Sequence, residues 1–301
     1  MNRGFSFFIA VCLSAFLVIS CSKEDTAEVV DSTPRLSKSD SIALVKIYQE
    51  IGPWHSKWDL KDITTWCDVA TALDLSTNQI RVVGLEIYGG HCKGNFPKEV
   101  CELTELRRLA ICGGHMGGSI PNDIGRLKNL YLLRLGDNDL TGGIPESIGE
   151  LTNLIRLDIV KTGITDTIPE SIGNLVNLEW LYMYENKISG NVPKGLANLR
   201  KLQQAILFDN QLSGTFPIEI TKGKITTMQI DCRRNNIAEL PFDIWDDNFD
   251  GIPPILQGNR LSGEVPEWVT KTEKWKREGQ WCTDGQQEGY GYDFWINRNS
   301  D

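Results

Sequence analysis

Residues 120–142 read IPNDIGRLKNLYLLRLGDNDLTG, and this stretch decides the fold because close copies of it follow one another along the chain. Each copy has a proline after an apolar residue, and seven of these prolines lie 24 residues apart: Pro97, Pro121, Pro145, Pro169, Pro193, Pro217 and Pro241. Pro266 follows at an interval of 25. A fixed period of this length is typical of a solenoid, in which each unit stacks on its neighbours.

The physics of one repeat explains its residues. Leu133 and Leu135 alternate with Leu132 and Arg134, so one pair should face the core and the other the solvent on a short strand. Asn138 is expected to turn the chain and to hydrogen-bond backbone groups that the turn leaves unpaired. One unit cannot bury its own leucine face, so stability must come from stacking.

The pattern L-x-x-L-x-L-x-x-N-x-L resembles the leucine-rich repeat family. The length of 24 residues and the L-[ST]-G motif, as in Leu140–Gly142 and Leu212–Gly214, resemble its plant-specific subclass, which also occurs in bacterial surface proteins. The resemblance covers about residues 40 to 270. It implies an α/β repeat, a leucine-rich repeat solenoid. A curved parallel sheet is expected on the concave face, short helical turns on the convex face, and a cap at each end.

The expected division of the chain is a lipoprotein signal peptide (1–20), a flexible tether (21–38), an N-terminal cap (39–71), leucine-rich repeats (72–265) and a C-terminal cap (266–301). The N-terminal cap should contain an amphipathic helix over 39–49, and Leu73–Leu75 should form the first repeat strand. The aromatic residues of the C-terminal cap are expected to cover the last open turn, with a carbohydrate-stacking patch as the alternative. A break in register before Asn235 predicts an irregular bulge around Cys232–Arg234.

The first residues have the features of an export signal. Arg3 precedes the apolar run Phe5–Ile19, which is too short to span a membrane. Val18–Cys21 resembles a bacterial lipobox, which implies cleavage before Cys21 and acylation of that residue. Lys23–Asp25 resembles the charged signal that sends Bacteroidetes lipoproteins to the outside of the outer membrane, although an ordinary solvated linker is the alternative. We therefore expect a surface-exposed protein at the cell outer membrane, held by its lipid anchor only.

Charge and composition exclude several functions. The chain has 31 Lys+Arg against 40 Asp+Glu and a formal net charge of −9, so it lacks the basic balance of a nucleic-acid-binding protein. It has only three histidines, and it contains no G-x-S-x-G, H-E-x-x-H or Walker motif. We expect a protein that is not an enzyme and needs no cofactor.

One segment resembles half of a calcium-binding loop. Asp246, Asn248 and Asp250 match the first positions of such a loop, but the twelfth position is Gln257 instead of the bidentate glutamate. A turn rich in Asp and Asn is the preferred interpretation, and a calcium site is the alternative.

Two cysteines fall close together in the predicted repeats. Cys92 and Cys101 lie in adjacent turns and could form a disulfide in an oxidising compartment. Cys92 occupies a position that is normally leucine, so a buried free thiol is the alternative.

The outward positions of the predicted strands contain the candidate binding surface. The residues expected to bind a partner are Trp180, Tyr182, Tyr184, Ile206 and Phe208, flanked by Arg134, Arg156 and Asp158. Exposed strand positions are usually small or polar, whereas aromatic residues and arginine are enriched in binding hot spots. Simple packing along the strand face is the alternative. We expect a membrane-anchored scaffold that binds a protein or peptide for adhesion, host contact or envelope assembly. The alternative is a glycan-binding accessory lipoprotein that uses exposed aromatics.

Overall fold

A largely parallel sheet runs through the part of the chain that the computed structural model describes, namely residues 34–52, 65–66, 68–89, 92–221, 229–246, 254–261 and 266–276. In spatial order its strands are β1 (Arg35–Leu36), β3 (Gln79–Tyr88), β4 (Arg108–Cys112), β5 (Leu132–Arg134), β6 (Arg156–Asp158), β7 (Trp180–Tyr182), β9 (Gln204–Ile206) and β11 (Gln229–Asp231), while β2 (Val69–Asp74) pairs antiparallel with β3. Arg108, Leu132 and Arg156 pair in register on neighbouring strands, one repeat apart. The predicted leucine-rich repeat solenoid is confirmed.

The core lies on the inward side of this main sheet. Leu133 and Leu135 have no exposed surface, whereas Leu132 and Arg134 are half-buried on the other side. The same alternation places one buried leucine column through successive repeats, so each repeat covers the apolar face of the one before it.

Short 3₁₀ turns follow the repeat prolines on the side opposite the sheet. They span Lys98–Glu102, Asn122–Arg126, Glu146–Glu150, Glu170–Asn174, Lys194–Asn198 and Phe242–Trp245. Each begins after a proline, whose fixed φ and missing N–H suit the start of a helical turn. The turns stack so closely that a Cβ at Gly149 would lie 2.4 Å from the carbonyl oxygen of Ser171, so only glycine fits there.

A second, smaller parallel sheet joins the later repeats. It contains β8 (Ser189–Asn191), β10 (Gln211–Thr215) and β12 (Asn236–Glu239). The helices are α1 (Lys38–Ile51), α2 (Ile218–Thr221) and α3 (Glu267–Lys271) within the described residues.

Asparagines tie several of the turns to the preceding repeat. Nδ2 of Asn210 donates to the carbonyl oxygens of Met183 (2.8 Å) and Leu207 (3.1 Å), while its Oδ1 accepts from the N–H of Ile188 (3.0 Å). Because Asn210 is buried, these bonds satisfy backbone groups that water cannot reach. The role expected for the turn asparagine is confirmed.

The 24-residue offset between parallel repeat strands changes at β11. Strand β9 pairs with β11 at an offset of 25 residues, whereas β7 pairs with β9 at 24. The turn after β11 is nevertheless regular, because Nδ2 of Asn235 donates to the carbonyl oxygens of Leu207 and Cys232, both at 3.0 Å. The extra residue therefore precedes β11, and the bulge that we expected at Cys232–Arg234 is wrong.

The N-terminal cap starts earlier and ends later than its sequence suggests. Arg35 and Leu36, which we assigned to the tether, pair with β3 as strand β1. Leu73 belongs to β2, which forms an antiparallel hairpin with β3, so Leu73–Leu75 is not the first repeat strand. The expected helix is present as α1, with Leu44 and Ile47 fully buried.

No disulfide joins Cys92 to Cys101. Both thiols are free and buried. Burial raises the pKa of Cys92 to about 11 and that of Cys101 to about 12. The structure therefore agrees with the alternative, in which Cys92 fills a leucine position as a small apolar side chain.

The described part of the C-terminal cap packs through aromatic rings. Trp275 meets Trp245 edge to face, with their centroids 5.2 Å apart, and Val269 of α3 is fully buried beside them. Trp268 remains 46% exposed. The other aromatic residues of this cap lie outside the described residues. No helix in the described part of the chain is long and apolar enough to cross a membrane.

Candidate functional site

The solvent side of the main sheet brings the predicted binding residues together. Its central row runs across adjacent strands as Arg134, Asp158, Tyr182, Ile206 and Asp231, which pair in register. Neighbouring strands lie about 4.8 Å apart, so these side chains stand beside one another on one face. We call this surface the sheet face. Its outward residues from β4 onward are Arg108, Ala110, Cys112, Leu132, Arg134, Gly136, Arg156, Asp158, Val160, Trp180, Tyr182, Tyr184, Gln204, Ile206, Phe208, Gln229, Asp231 and Arg233.

Asp158 is the buried centre of an ion-pair cluster. Its carboxylate accepts from Nε of Arg134 at 2.9 Å and from Nε of Arg156 at 2.9 and 3.0 Å. The residue is only 5% exposed, whereas the two arginine side chains are 39% and 35% exposed. Burial raises the pKa of Asp158, and the two arginines oppose that rise. The carboxylate thus holds both guanidinium groups in fixed positions at the surface.

Arg156 also orders the neighbouring aromatic residue. Its Cζ lies 4.9 Å from the ring centroid of Tyr182, in a cation–π contact. The Tyr182 hydroxyl donates to Oε1 of Gln204 at 2.6 Å. Tyr182 is therefore held at both ends, with one ring face covered by Arg156.

Ile206 and Phe208 are buried, which corrects the expectation of one exposed aromatic cluster. Phe208 is 7% exposed and Ile206 is 5% exposed. The ring of Tyr184 stacks on Phe208 with a centroid separation of 4.7 Å and an interplanar angle of 16°. Cζ of Arg233 lies 5.8 Å from the centroid of Phe208, and Cζ of Arg234 lies 5.3 Å from it. Ile206 and Phe208 therefore pack within the protein and are not part of the exposed surface.

Arg233 and Asp231 extend the sheet face, although the sequence pattern did not identify them as site residues. Nε of Arg233 donates to both oxygens of Asp231 (3.0 and 3.1 Å), and its Nη2 donates at 2.6 Å. Both residues follow the change of register, so the 24-residue template assigns them to the wrong faces. The signal that could have found them is Asn235, which lies 25 residues after Asn210.

Trp180 differs from the other aromatic residues of the predicted cluster, because no other ring or cation of the described residues contacts its ring. It is half-buried and pairs in register with Arg156 on one side and Gln204 on the other. Within the described residues its ring has no aromatic or cation–π contact and its indole N–H has no acceptor. This side chain is therefore available to a partner.

The sheet face has the opposite charge balance from the whole chain. Including the outward positions of β3, it carries four arginines (Arg108, Arg134, Arg156 and Arg233) and three carboxylates (Glu86, Asp158 and Asp231). Its net charge is thus +1, whereas the chain carries −9. A slightly positive face on an acidic protein is a local feature that a partner can recognise.

Several predicted site residues cannot be placed. Cys21, Asn248 and Asp250 lie outside the described residues, and Asp246 follows the last 3₁₀ turn. Within the described residues no group of three His, Cys, Asp or Glu side chains could hold a metal ion.

Comparison with known families supports the class of protein that this fold defines. Residues 64–213 match the family described as "Leucine-rich repeat region". Together with the repeated strand, asparagine turn and 3₁₀ turn, this match shows the leucine-rich repeat fold. A sequence comparison with curated proteins finds no match.

Solved structures with a similar fold include plant proteins. A plant ice-binding protein is 26% identical, with a TM-score of 0.64 over 75% of this chain and 72% of its own. The leucine-rich repeat ectodomain of the receptor kinase GASSHO1/SCHENGEN3 from Arabidopsis thaliana, in complex with CASPARIAN STRIP INTEGRITY FACTOR 2, is 24% identical, with a TM-score of 0.59 over 75% of this chain and 33% of its own. The PEPR1–AtPEP1 structure is 23% identical, with a TM-score of 0.56 over 76% and 39%. The chain spans less than half the length of each of the last two chains, and both support the fold alone.

Proposed function

We propose that this leucine-rich repeat protein is a non-enzymatic scaffold that binds a protein or peptide partner through the sheet face. The observation that carries the proposal is the pre-ordered group around Asp158. Arg134, Arg156 and Tyr182 are fixed by contacts within the protein, and the half-buried Trp180 beside them has no ring or cation contact within the described residues. Side chains that are already ordered lose little entropy on binding, so a partner gains more from each contact.

The same geometry favours a protein or peptide over a glycan. A sugar needs an open aromatic ring face on which to stack. Of the four aromatic rings in the predicted cluster, three already have another side chain of the protein over one face. Arg156 covers one face of Tyr182, and Tyr184 and Phe208 cover each other. Trp180 alone cannot provide the row of platforms that the glycan alternative requires.

The sheet face also lacks the regularity that an ice surface would require. The plant ice-binding protein shares the fold, but a flat crystal plane calls for the same side chain in every repeat. The first outward position of successive strands is instead occupied by Arg108, Leu132, Arg156, Trp180 and Gln204. This variety suits an irregular macromolecular partner.

We further propose that Cys21 is lipidated and anchors the protein to the outer membrane with the repeats exposed at the cell surface. The apolar run Phe5–Ile19 and the lipobox-like Val18–Cys21 support this proposal. Adhesion, host contact and assembly with other envelope proteins are the roles that such a position would serve.

The proposed function is tested by capture of partners on immobilised protein. Wild type, Trp180→Ala and Trp268→Ala would be exposed to envelope and host extracts and to a glycan array. Trp268 is a matched control, because it is an exposed tryptophan in α3 and not on the sheet face. We expect a protein that wild type and Trp268→Ala retain and Trp180→Ala loses. Glycan binding with the same dependence on Trp180 would contradict the proposal.

A further inference from the structure

Three arginines surround one apolar side chain on the sheet face. Leu132 lies between Arg108 and Arg156, which pair with it in register on the adjacent strands. Arg134 follows Leu132 on the same face, about 6.6 Å along the strand. Leu132 is half-buried, so the group has an apolar floor and a rim of guanidinium groups.

The hydrogen-bond donors of this group outnumber its acceptors. Arg134 and Arg156 bind Asp158 through Nε, and within the described residues their Nη atoms have no hydrogen-bond acceptor. Arg108 contacts Glu86 through Nη2 at 2.7 Å, which leaves its Nε and Nη1 available.

The carboxylates of the sheet face already accept hydrogen bonds or form ion pairs within the protein. Both oxygens of Asp158 accept from arginine, and both oxygens of Asp231 accept from Arg233. Glu86 contacts Arg108 with one oxygen and accepts from the Tyr88 hydroxyl with the other, at 3.4 Å. A partner that supplied donors would meet no unpaired carboxylate, whereas one that supplied acceptors would meet three guanidinium groups.

We propose that the partner docks an acidic peptide segment on this face, with its Asp or Glu side chains on Arg108, Arg134 and Arg156 and apolar side chains from the same face of the segment over Leu132 and over Trp180. This inference rests on the proposed function and names the chemistry of the partner. A guanidinium fork matches a carboxylate in two parallel hydrogen bonds, which gives both affinity and orientation. The alternating faces of an extended segment would place every second side chain on the arginines.

Selection from a peptide library tests this inference. Random segments of twelve residues would be displayed inside a phage surface protein, so that none has a free carboxyl terminus, and selected on the wild-type protein. We define the segments that need the sheet face as those that bind the wild-type protein but do not bind Trp180→Ala. We expect these segments to be enriched in Asp and Glu over the unselected library, and to bind more weakly as salt is raised.

Arginine variants complete the experiment. Arg108→Gln should weaken binding of the selected segments about tenfold, because it removes charge-assisted hydrogen bonds. Among the residues that the structure describes, Arg108 forms an ion pair with the partly exposed Glu86 and none with Asp158, so this variant leaves the buried Asp158 cluster intact. Arg126→Gln is the control, since Arg126 carries the same charge on a 3₁₀ turn and should leave binding unchanged. Segments that need Trp180 but show no acidic enrichment, or that bind Arg108→Gln as well as wild type, would overturn the inference and leave the proposed function standing. Recovery of no segment that needs Trp180 would count against both.

Discussion

Nε of Arg81 donates to Oδ2 of Asp40 at 3.0 Å, across 41 residues of sequence, and thereby joins helix α1 to strand β3. Nη2 of Arg81 donates to the other oxygen at 3.1 Å, and the N–H of Val82 donates at 2.8 Å. Asp40 has no exposed surface, so its charge is satisfied within the protein alone. This ion pair ties the N-terminal cap to the sheet.

Asp40→Ala should therefore destabilise the protein strongly. The substitution leaves the N–H of Val82 without its acceptor and removes the close ion-pair partner of Arg81, which among the described residues keeps only Thr104 at 3.3 Å and Glu105 at 4.0 Å. Breaking a buried ion pair in this way costs about 3–5 kcal/mol. Urea unfolding would measure the loss. Glu102→Ala is the control, because it removes the exposed pair with Arg126 and should cost no more than about 1 kcal/mol. Equal losses in the two variants would show that Asp40 does not anchor the cap.

Asp74 should make stability sensitive to acid. Hydrogen bonds from Ser76 and Thr77 in the β2–β3 turn lower its pKa to about 2. A carboxylate with a lowered pKa stabilises the fold above its unfolded pKa of about 3.9, and that contribution is lost as pH falls toward 2. Asp74→Ala should be less stable than wild type at pH 7, and the difference should shrink between pH 4 and pH 2. A difference that stays constant with pH would contradict this role.

The buried thiols should react slowly in the folded protein. Burial raises the pKa of Cys92 to about 11 and that of Cys101 to about 12, so neither supplies much thiolate at pH 8. Among the cysteines that the structure describes, iodoacetamide labelling followed by peptide mass analysis should modify the half-buried Cys112 first, and Cys92 and Cys101 only after denaturation. Recovery of a peptide that links Cys92 to Cys101 under non-reducing conditions would show that the disulfide does form.

Cys21→Ala should release the protein from membranes. If Cys21 carries the lipid, the variant loses its only proposed anchor and should appear in the soluble fraction, whereas wild type should sediment with the outer membrane. Fractionation followed by detection of the repeats would measure this. Retention of the variant in the membrane fraction would disprove the lipid anchor.

The periodic features of the fold could be predicted from the sequence, because each depends on residues within one repeat. The prolines at 24-residue intervals located the 3₁₀ turns, and the asparagine column located the strand ends. Features that depend on contacts between distant segments could not be predicted. The strand at Arg35–Leu36 exists only because β3 offers it an edge, and its two residues carry no periodic signal.

The candidate site was predicted in composition but not in exposure. The outward positions of Ile206 and Phe208 were correct, yet both side chains are buried. Burial of Phe208 depends on Arg233 and on the stacked ring of Tyr184. Arg233 follows an extra residue before β11, and a strict 24-residue template cannot align it with Phe208. The pairing of Asp158 with two arginines likewise requires the register between strands.

Titration of Trp180→Ala against an identified partner tests the central claim most directly, when it is paired with a melting curve. Trp180 faces away from the core, so its truncation should leave the melting temperature close to that of wild type. Loss of a central aromatic anchor should weaken binding by about 2–4 kcal/mol, which is roughly 30-fold or more. Trp268→Ala should leave the affinity unchanged. An unchanged affinity for Trp180→Ala, with a large fall in its melting temperature, would show that Trp180 serves packing and that the sheet face is not the binding surface.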